Sequence, residues 1–181
     1  MSRSLHSLFS AIVLLPSLGA AININEIHYN PPENPIRQEF IELYNSGPAE
    51  VVLSGWRLSG ALDYVFPAET TIAGGAFFVL SDDRQGLQST LGAGASGPFL
   101  GKLNAEGETV RLRNEADLVV DEVDYRVGFP WPVAASGNGP SIELIHPALD
   151  NSLGSSWRSA TLPTPGTQNT VFSRNAAPNI R

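Results

Sequence analysis

The amino-acid sequence predicts an all-β sandwich, and three observations support this fold class. Turn-forming residues recur about every 8–12 residues after position 21, which is the spacing of short antiparallel strands. The runs between them are rich in β-branched and aromatic side chains, as strands usually are. Beyond the first 21 residues, no segment of twelve or more residues shows helical periodicity. We therefore predict a core built from strands rather than from β-α-β units.

The first two strands are predicted at residues 22–29 and 39–45. Apolar side chains in the first run change from even to odd positions at Ile22, Ile24, Ile27 and Tyr29. A bulge near Asn25 or Glu26 would keep all four on one face of the sheet. Residues 30–35 contain three prolines and cannot continue a hydrogen-bonded ladder.

The middle of the chain contains further short strands. Residues 51–53 and 56–58 flank a tight corner at Ser54-Gly55, and residues 64–66 form the next strand. Residues 76–80 are apolar at every position, which predicts a central strand buried on both faces.

A hairpin is predicted in the second half. Residues 108–113 alternate cleanly, with Val110 and Leu112 on one face. After a turn at Asn114–Asp117, residues 118–125 should pair back onto this strand. A bulge at Asp121–Glu122 would place three apolar side chains on one face, namely Val120, Val123 and Tyr125. A last strand is predicted at 142–145.

The chain ends carry no strand pattern. Residues 1–21 are predicted to be a secretory signal peptide, with a charged start at Arg3, an apolar run and a small-residue cleavage site after Ala21 or, as second choice, Ala20. The apolar run is too short to span a membrane, since a spanning helix needs about 20 residues. Residues 22–171 are the predicted domain, and 172–181 read as a linker or disordered C-terminal tail. We expect a protein that is secreted, whether to the medium, the periplasm or the cell surface.

Composition excludes several function classes. The chain has 181 residues, no cysteine and three histidines, which excludes disulfides, thiolate metal sites and a cysteine nucleophile, and leaves little for a transition-metal cofactor. The net charge of −7 argues against a nucleic-acid partner. Lys102, Arg111 and Arg113 are too few and too mixed with acidic residues to form a basic face. Secretion without disulfides favours a bacterial source.

Candidate catalytic groups are few. Glu26, Glu39 and Glu42 are possible acid–base residues, but Glu39 and Glu42 fall on opposite faces of one strand. We expect them to lie on a solvated sheet surface or to bond loop amides. His28 and His146 could join a serine in a triad, but no Gly-X-Ser-X-Gly motif exists to present that serine. The sequence therefore predicts no catalytic residue.

Two other features have alternative interpretations. Five carboxylates could offer oxygen ligands to calcium, although no glycine-pinned loop fixes them: Asp82, Asp83, Asp121, Glu122 and Asp124. We expect unpaired carboxylates to serve solubility, and we predict no metal site.

Trp131 lies between Pro130 and Pro132, close to Phe129. We expect it to cap one end of the core; contact with a ligand or partner is the alternative.

Several motifs, taken in order, resemble a known family. They are Asn25-Glu26-Ile27, EFIELYN at 39–45, LSGWRL at 53–58, Phe66-Pro67, IAGGAFFVLS at 72–81, GETVRLRN at 107–114, VVDEVDY at 119–125, SIELI at 141–145, DNS at 150–152, Ser156-Trp157-Arg158, and Thr164-Pro165-Gly166 followed by Asn169. This order is similar to that of lamin-tail domains of the bacterial secreted type. The resemblance covers residues 22 to about 170.

The resemblance implies an immunoglobulin-like β-sandwich without catalytic residues or cofactors. In that fold Trp56 would lie between the sheets, with its indole N–H bonded to a backbone acceptor. The turn at 114–117 lacks the glycine common in the family, but Asp117 tolerates a left-handed conformation. Such domains are accessory modules of larger extracellular proteins, and the expected partner is a protein, a cell-surface component or a neighbouring domain. The alternatives are the N-terminal part of a secreted enzyme or CotH-kinase-like protein, and a calcium-dependent adhesive module.

Overall fold

The computed structural model describes residues 22–31, 38–137, 139–160 and 162–169. In chain order its strands are β1 (Ile22–His28), β2 (Phe40–Asn45), β3 (Val51–Val52), β4 (Arg57–Gly60), β5 (Leu62–Val65), β6 (Thr71–Ile72), β7 (Phe77–Ser81), β8 (Leu100–Gly101), β9 (Gly107–Arg113), β10 (Val119–Arg126), β11 (Ile142–Leu144) and β12 (Trp157–Ser159). Sheet 1 has the spatial order β12-β11-β1-β2-β7, and sheet 2 has the order β10-β9-β4-β5-β8. The short strands β3 and β6 pair separately. The predicted signal peptide and the predicted tail lie outside the described residues.

Apolar side chains from both sheets form one continuous core. Ile24 and Ile41 of sheet 1 and Leu58 and Leu112 of sheet 2 are completely shielded from solvent within it. Each such side chain contributes about 1.5–3 kcal/mol of hydrophobic stabilisation. The predicted all-β sandwich is therefore confirmed.

The predicted bulge in β1 is present and decides which side chains face outwards. The pairing of β1 with β2 shifts register between Ile24 and Glu26. Ile24 and Ile27 can therefore both face the core, while Glu26 pairs with Glu42 on the outer face of sheet 1. Without the extra residue, one of these sets would lie on the wrong side.

The β9–β10 hairpin also matches its pattern. Val110 and Val123 are register partners and are fully buried. Asp117 adopts the left-handed conformation, with φ of 64°, as its turn requires. The bulge lies between Val119 and Asp121. The predicted position at Asp121–Glu122 is therefore displaced towards the C-terminus.

The prediction of a central strand at 76–80 is wrong, because β7 is the last strand of sheet 1. Its outer face is covered by a helix, α1 (Arg84–Leu91), through a small cluster of Phe40, Val79, Leu87 and Ala93. The helix has eight residues, too few for the periodicity that a sequence search needs. Val79 on the outer face of β7 is thus buried by a helix, whereas Phe77 on the same face stays half buried.

The tryptophan predicted to lie between the sheets is wrongly assigned. Trp56 is only half buried and packs at the margin of the core. Trp157 at the start of β12 is 4% exposed instead, and its Nε1 donates to the Asn151 carbonyl at 2.8 Å. Trp131 caps this end of the core as expected, with its ring centroid 6.1 Å from that of Trp157.

Among the described residues, no helix is long and apolar enough to cross a membrane.

Candidate functional site

Three glutamates lie side by side on the outer face of sheet 1. The register pairs Glu42 of β2 with Glu26 of β1, and Glu26 with Glu143 of β11. Arg158 of β12 continues this line and donates to Glu143 Oε2 from Nε at 3.1 Å and from Nη2 at 3.0 Å. All three carboxyl groups are fully buried. We call Glu42, Glu26 and Glu143 the acidic row.

The acidic row is covered by residues 162–169, which we call the covering segment. The amide of Gly166 donates to Glu42 Oε2 at 2.6 Å, and the amide of Thr164 donates to Glu26 Oε1 at 3.0 Å. Asn25 Nδ2 donates to Glu42 Oε1 at 2.7 Å, and Ser141 Oγ donates to Glu26 Oε1. Buried carboxylates therefore hold an irregular segment that contributes no strand to the sheet.

The Thr164 hydroxyl connects two members of the row. Its Oγ1 lies 3.2 Å from Glu26 Oε2 and 2.7 Å from Glu143 Oε1. One hydroxyl hydrogen cannot serve two ionised carboxylates at once. Since Glu143 is paired with Arg158, the second contact is best satisfied when the Glu26 carboxyl carries a proton that it donates to the hydroxyl oxygen.

Burial also raises the pKa values of two of these groups. The pKa of Glu26 rises to about 7, chiefly because its carboxyl is removed from water. The pKa of Glu42 rises to about 8 for the same reason, with a further contribution from the neighbouring charge of Glu26. Raised carboxyl pKa values are typical of catalytic acids, but all four oxygens of Glu26 and Glu42 are already hydrogen-bonded to groups of the protein. The row therefore attaches the covering segment.

The sequence anticipated part of this arrangement. Glu26, Glu39 and Glu42 all accept hydrogen bonds from loop amides, which is one of the two outcomes predicted from the sequence. Glu39 is not part of the acidic row and accepts from Leu103 N at 2.7 Å. The other expectation, a solvated sheet surface, is wrong because all three are at most 1% exposed. Glu143 was not identified, although its position between Ile142 and Leu144 in a short strand was the available signal.

The structure keeps the two candidate histidines in separate environments. His28 is buried, with Nδ1 3.1 Å from the Gln38 carbonyl and Nε2 3.0 Å from the Gly139 carbonyl. Burial lowers its pKa to about 4. His146 is exposed, and its Nδ1 accepts from Ala148 N at 3.1 Å. The bonds of both rings go to backbone groups, so neither imidazole is oriented towards a serine hydroxyl.

Four of the five carboxylates weighed for calcium have hydrogen-bond or ion-pair partners. Asp83 caps α1 by accepting from Gly86 N at 2.9 Å. Asp121 accepts from Ile24 N at 2.6 Å, and Glu122 pairs with Arg111 at 2.5 Å. Asp124 pairs with Arg126. Asp82 precedes the α1 cap, and its buried Oδ1 has no hydrogen-bond partner among the described residues. In the part of the chain that the structure describes, no group of three or more such side chains is placed to hold a metal ion.

An exposed aromatic side chain lies in the loop after β10. Phe129 is 98% exposed, and Val127 and Val133 in the same loop are 40% and 63% exposed. Trp131 fixes the loop, since its amide donates to the Gly128 carbonyl at 2.8 Å and its ring packs directly against Gly154. We call residues 127–133 the Phe129 loop. The sequence pointed to Trp131 as a rigid aromatic, and the structure places Phe129 as the ring that reaches solvent.

The chain also matches the model of a known protein family. The family model described as Lamin Tail Domain matches residues 16–126, more than half of the chain. This range includes Glu26 and Glu42, whereas Glu143, the covering segment and the Phe129 loop lie after it. No curated protein matches the chain.

Proposed function

The chain belongs to the lamin tail domain family, and on that basis we propose that it is a secreted, non-enzymatic interaction module that binds a protein partner through the Phe129 loop. The family consists of immunoglobulin-like modules without known enzymatic activity. The partner is a neighbouring domain of a larger extracellular protein or a component of the cell surface.

The exposure of Phe129 is the observation that carries this proposal. Leaving a large aromatic side chain in water forgoes about 1.5–3 kcal/mol of stabilisation, and Val127 and Val133 enlarge the apolar surface around it. Anchoring by Trp131 means that little conformational entropy is lost when a partner contacts the loop. Rigid aromatic side chains of this kind are typical of binding hot spots.

Photo-crosslinking tests the contact. Phe129 is replaced by a benzophenone amino acid in the cells that produce the protein, and the adducts are identified by mass spectrometry. The control places the same probe at Leu118, which is 64% exposed in the turn between β9 and β10. We expect one discrete protein adduct from position 129 that is absent from position 118. Identical adducts from both positions, or none from 129, would contradict the proposal.

The position of β1 supports the secreted part of the proposal. The strand begins at Ile22, directly after the predicted cleavage site, and Ile22 is 2% exposed and paired with Asn45. Cleavage after Ala21 would therefore leave every described strand intact.

Expression of the full chain in a bacterial host tests secretion. We expect an exported product whose N-terminal sequence starts at Ile22. The variant Leu14→Arg, which places a charge in the apolar run, should stay uncleaved in the cytoplasm. Cytoplasmic retention of the parent chain with Met1 intact would refute secretion and leave the proposal for the Phe129 loop standing.

A further inference from the structure

A concave region lies beside the acidic row on the outer face of sheet 1. Helix α1 covers Phe40 and Val79, and the covering segment lies over Glu26 and Glu42. Next to them is a hollow of about 250 Å³. We call it the aromatic hollow, because Tyr44 and Phe77 form one of its walls.

The aromatic wall is formed by two neighbouring strands. Tyr44 of β2 and Phe77 of β7 are register partners, and their rings stack with centroids 4.7 Å apart and planes inclined by 25°. Both side chains are half buried. Ile145 and Pro147 also line the hollow and add apolar surface. An aromatic pair held in this way presents a rigid apolar platform.

Polar groups complete the lining. The Ala148 amide donates to His146 Nδ1, so Nε2 is the ring nitrogen that can bond a ligand. Gln168 adds an exposed side-chain amide, and Tyr44 adds a phenol. No Asp, Glu, Lys or Arg of the described part of the chain lines the hollow, although the chain carries a net charge of −7.

We propose that the aromatic hollow binds a single residue of a neutral carbohydrate. A sugar ring has a face of C–H groups that packs against aromatic rings, whose faces are electron-rich, and hydroxyls around its edge. The phenol, the imidazole Nε2 and the Gln168 amide can donate to or accept from those hydroxyls. The proposed site is separate from the Phe129 loop and does not depend on it.

The size and charge of the hollow exclude other ligand classes. Pockets for drug-sized ligands measure about 300–1,000 Å³, so a hollow of about 250 Å³ accepts one small ring. Among the described residues, no Lys or Arg lines the hollow to bind an anionic ligand, and no carboxylate lines it to bind a cationic one. A purely apolar side chain would leave the polar groups of the rim without new partners. A neutral, hydroxylated ring matches both kinds of surface.

Nuclear magnetic resonance titration tests this inference. The protein purified after expression of the full chain is titrated with cellotriose and with triacetylchitotriose, and trigalacturonate serves as the anionic control. We expect a Kd of about 0.1–10 mM for at least one neutral probe, as is reasonable for a shallow single-residue site. Amide shifts should be confined to the surroundings of Tyr44, Ile145 and Gln168. No shift with either neutral probe, shifts elsewhere, or equal binding of trigalacturonate would overturn the proposal.

Three variants separate binding from folding. Phe77→Ala should weaken binding about 10-fold by removing half of the aromatic wall, which corresponds to about 1.4 kcal/mol. Gln168→Ala removes an exposed polar group without touching the core, and should weaken binding several-fold with an unchanged melting temperature. Leu118→Ala is the matched control, because its side chain is exposed and does not line the hollow. Parent-like binding by both Phe77→Ala and Gln168→Ala would refute the site.

Discussion

The stability of the domain should fall as the pH rises above neutrality, because the acidic row then ionises in a buried environment. Glu26 and Glu42 have pKa values of about 7 and about 8 in the folded protein, against 4.5 when exposed to water. A carboxyl whose pKa is raised on folding makes its full contribution to stability at a pH below its pKa in the unfolded chain. That contribution is lost as the pH rises through its pKa in the folded protein.

The pH range of the measurement must lie above the titration of His28, because this group changes the stability of the domain in the opposite direction. Its pKa is lowered from 6.5 to about 4, so its contribution is present above pH 6.5 and is lost as the pH falls towards 4. Between about pH 4.5 and 6.5 the two effects oppose each other. Above pH 6.5 the change in stability comes from Glu26 and Glu42, and a pKa shift of one unit corresponds to about 1.4 kcal/mol. From pH 6.5, Glu42 then accounts for a loss of about 2 kcal/mol and Glu26 for less than about 1 kcal/mol.

Urea unfolding between pH 6.5 and about pH 9 measures this loss. We expect the parent protein to lose about 2–3 kcal/mol of unfolding free energy across this range. Glu42→Gln should lose about 2 kcal/mol less, since its side chain cannot ionise. Glu106→Gln, an exposed position, is the matched control and should keep the parent slope. Glu26→Gln provides a second variant if Glu42→Gln does not fold. Unfolding free energy that stays constant or increases above pH 6.5, or a parent-like slope in both glutamine variants, would refute the reasoning.

Three further substitutions test single contacts. Thr164→Val keeps the shape of the side chain but removes the hydroxyl between two carboxyls; we expect a loss of about 1–3 kcal/mol in urea unfolding and faster hydrogen exchange at the Gly166 amide. Asp83→Ala removes the cap of α1 and should lower stability by about 1 kcal/mol, whereas Asp83→Asn should restore most of it. Gly60→Ala would place a Cβ 2.1 Å from the Thr109 carbonyl oxygen and should prevent a normal melting transition, while Gly75→Ala, also at positive φ but in open space, should melt within a few degrees of the parent.

Local patterns were sufficient to predict the long strands. The change in alternation at Asn25 required an extra residue in β1, and the register shift between Ile24 and Glu26 confirms it. The alternation of Val110 and Leu112 and the turn at Asp117 likewise predicted the β9–β10 hairpin. These predictions succeed because the side-chain period of a strand and the conformation of a turn residue are properties of neighbouring residues.

Features that depend on distant residues could not be predicted in the same way. The apolar run in β7 indicates burial on both faces of the strand. Whether the outer face packs against strands or against α1 is decided by residues that follow β7. Similarly, the local sequence around Trp56 and around Trp157 gives the same indication of a buried tryptophan. Only packing determines which indole is enclosed and finds the Asn151 carbonyl. Two-residue strands such as β6 and β8 are too short to show any period.

The amino-acid sequence by itself determined the sandwich, its main strands and the family resemblance, because these depend on periodicity and on the order of motifs along the chain. Tertiary structure alone decided that Glu26, Glu42 and Glu143 form one buried row, that residues 162–169 cover it, and that Phe129 rather than Trp131 reaches solvent. The physical reason is the same in each case. Burial, pKa and exposure depend on groups that lie more than a hundred residues away in sequence but are adjacent in space, as Glu42 and Gly166 are.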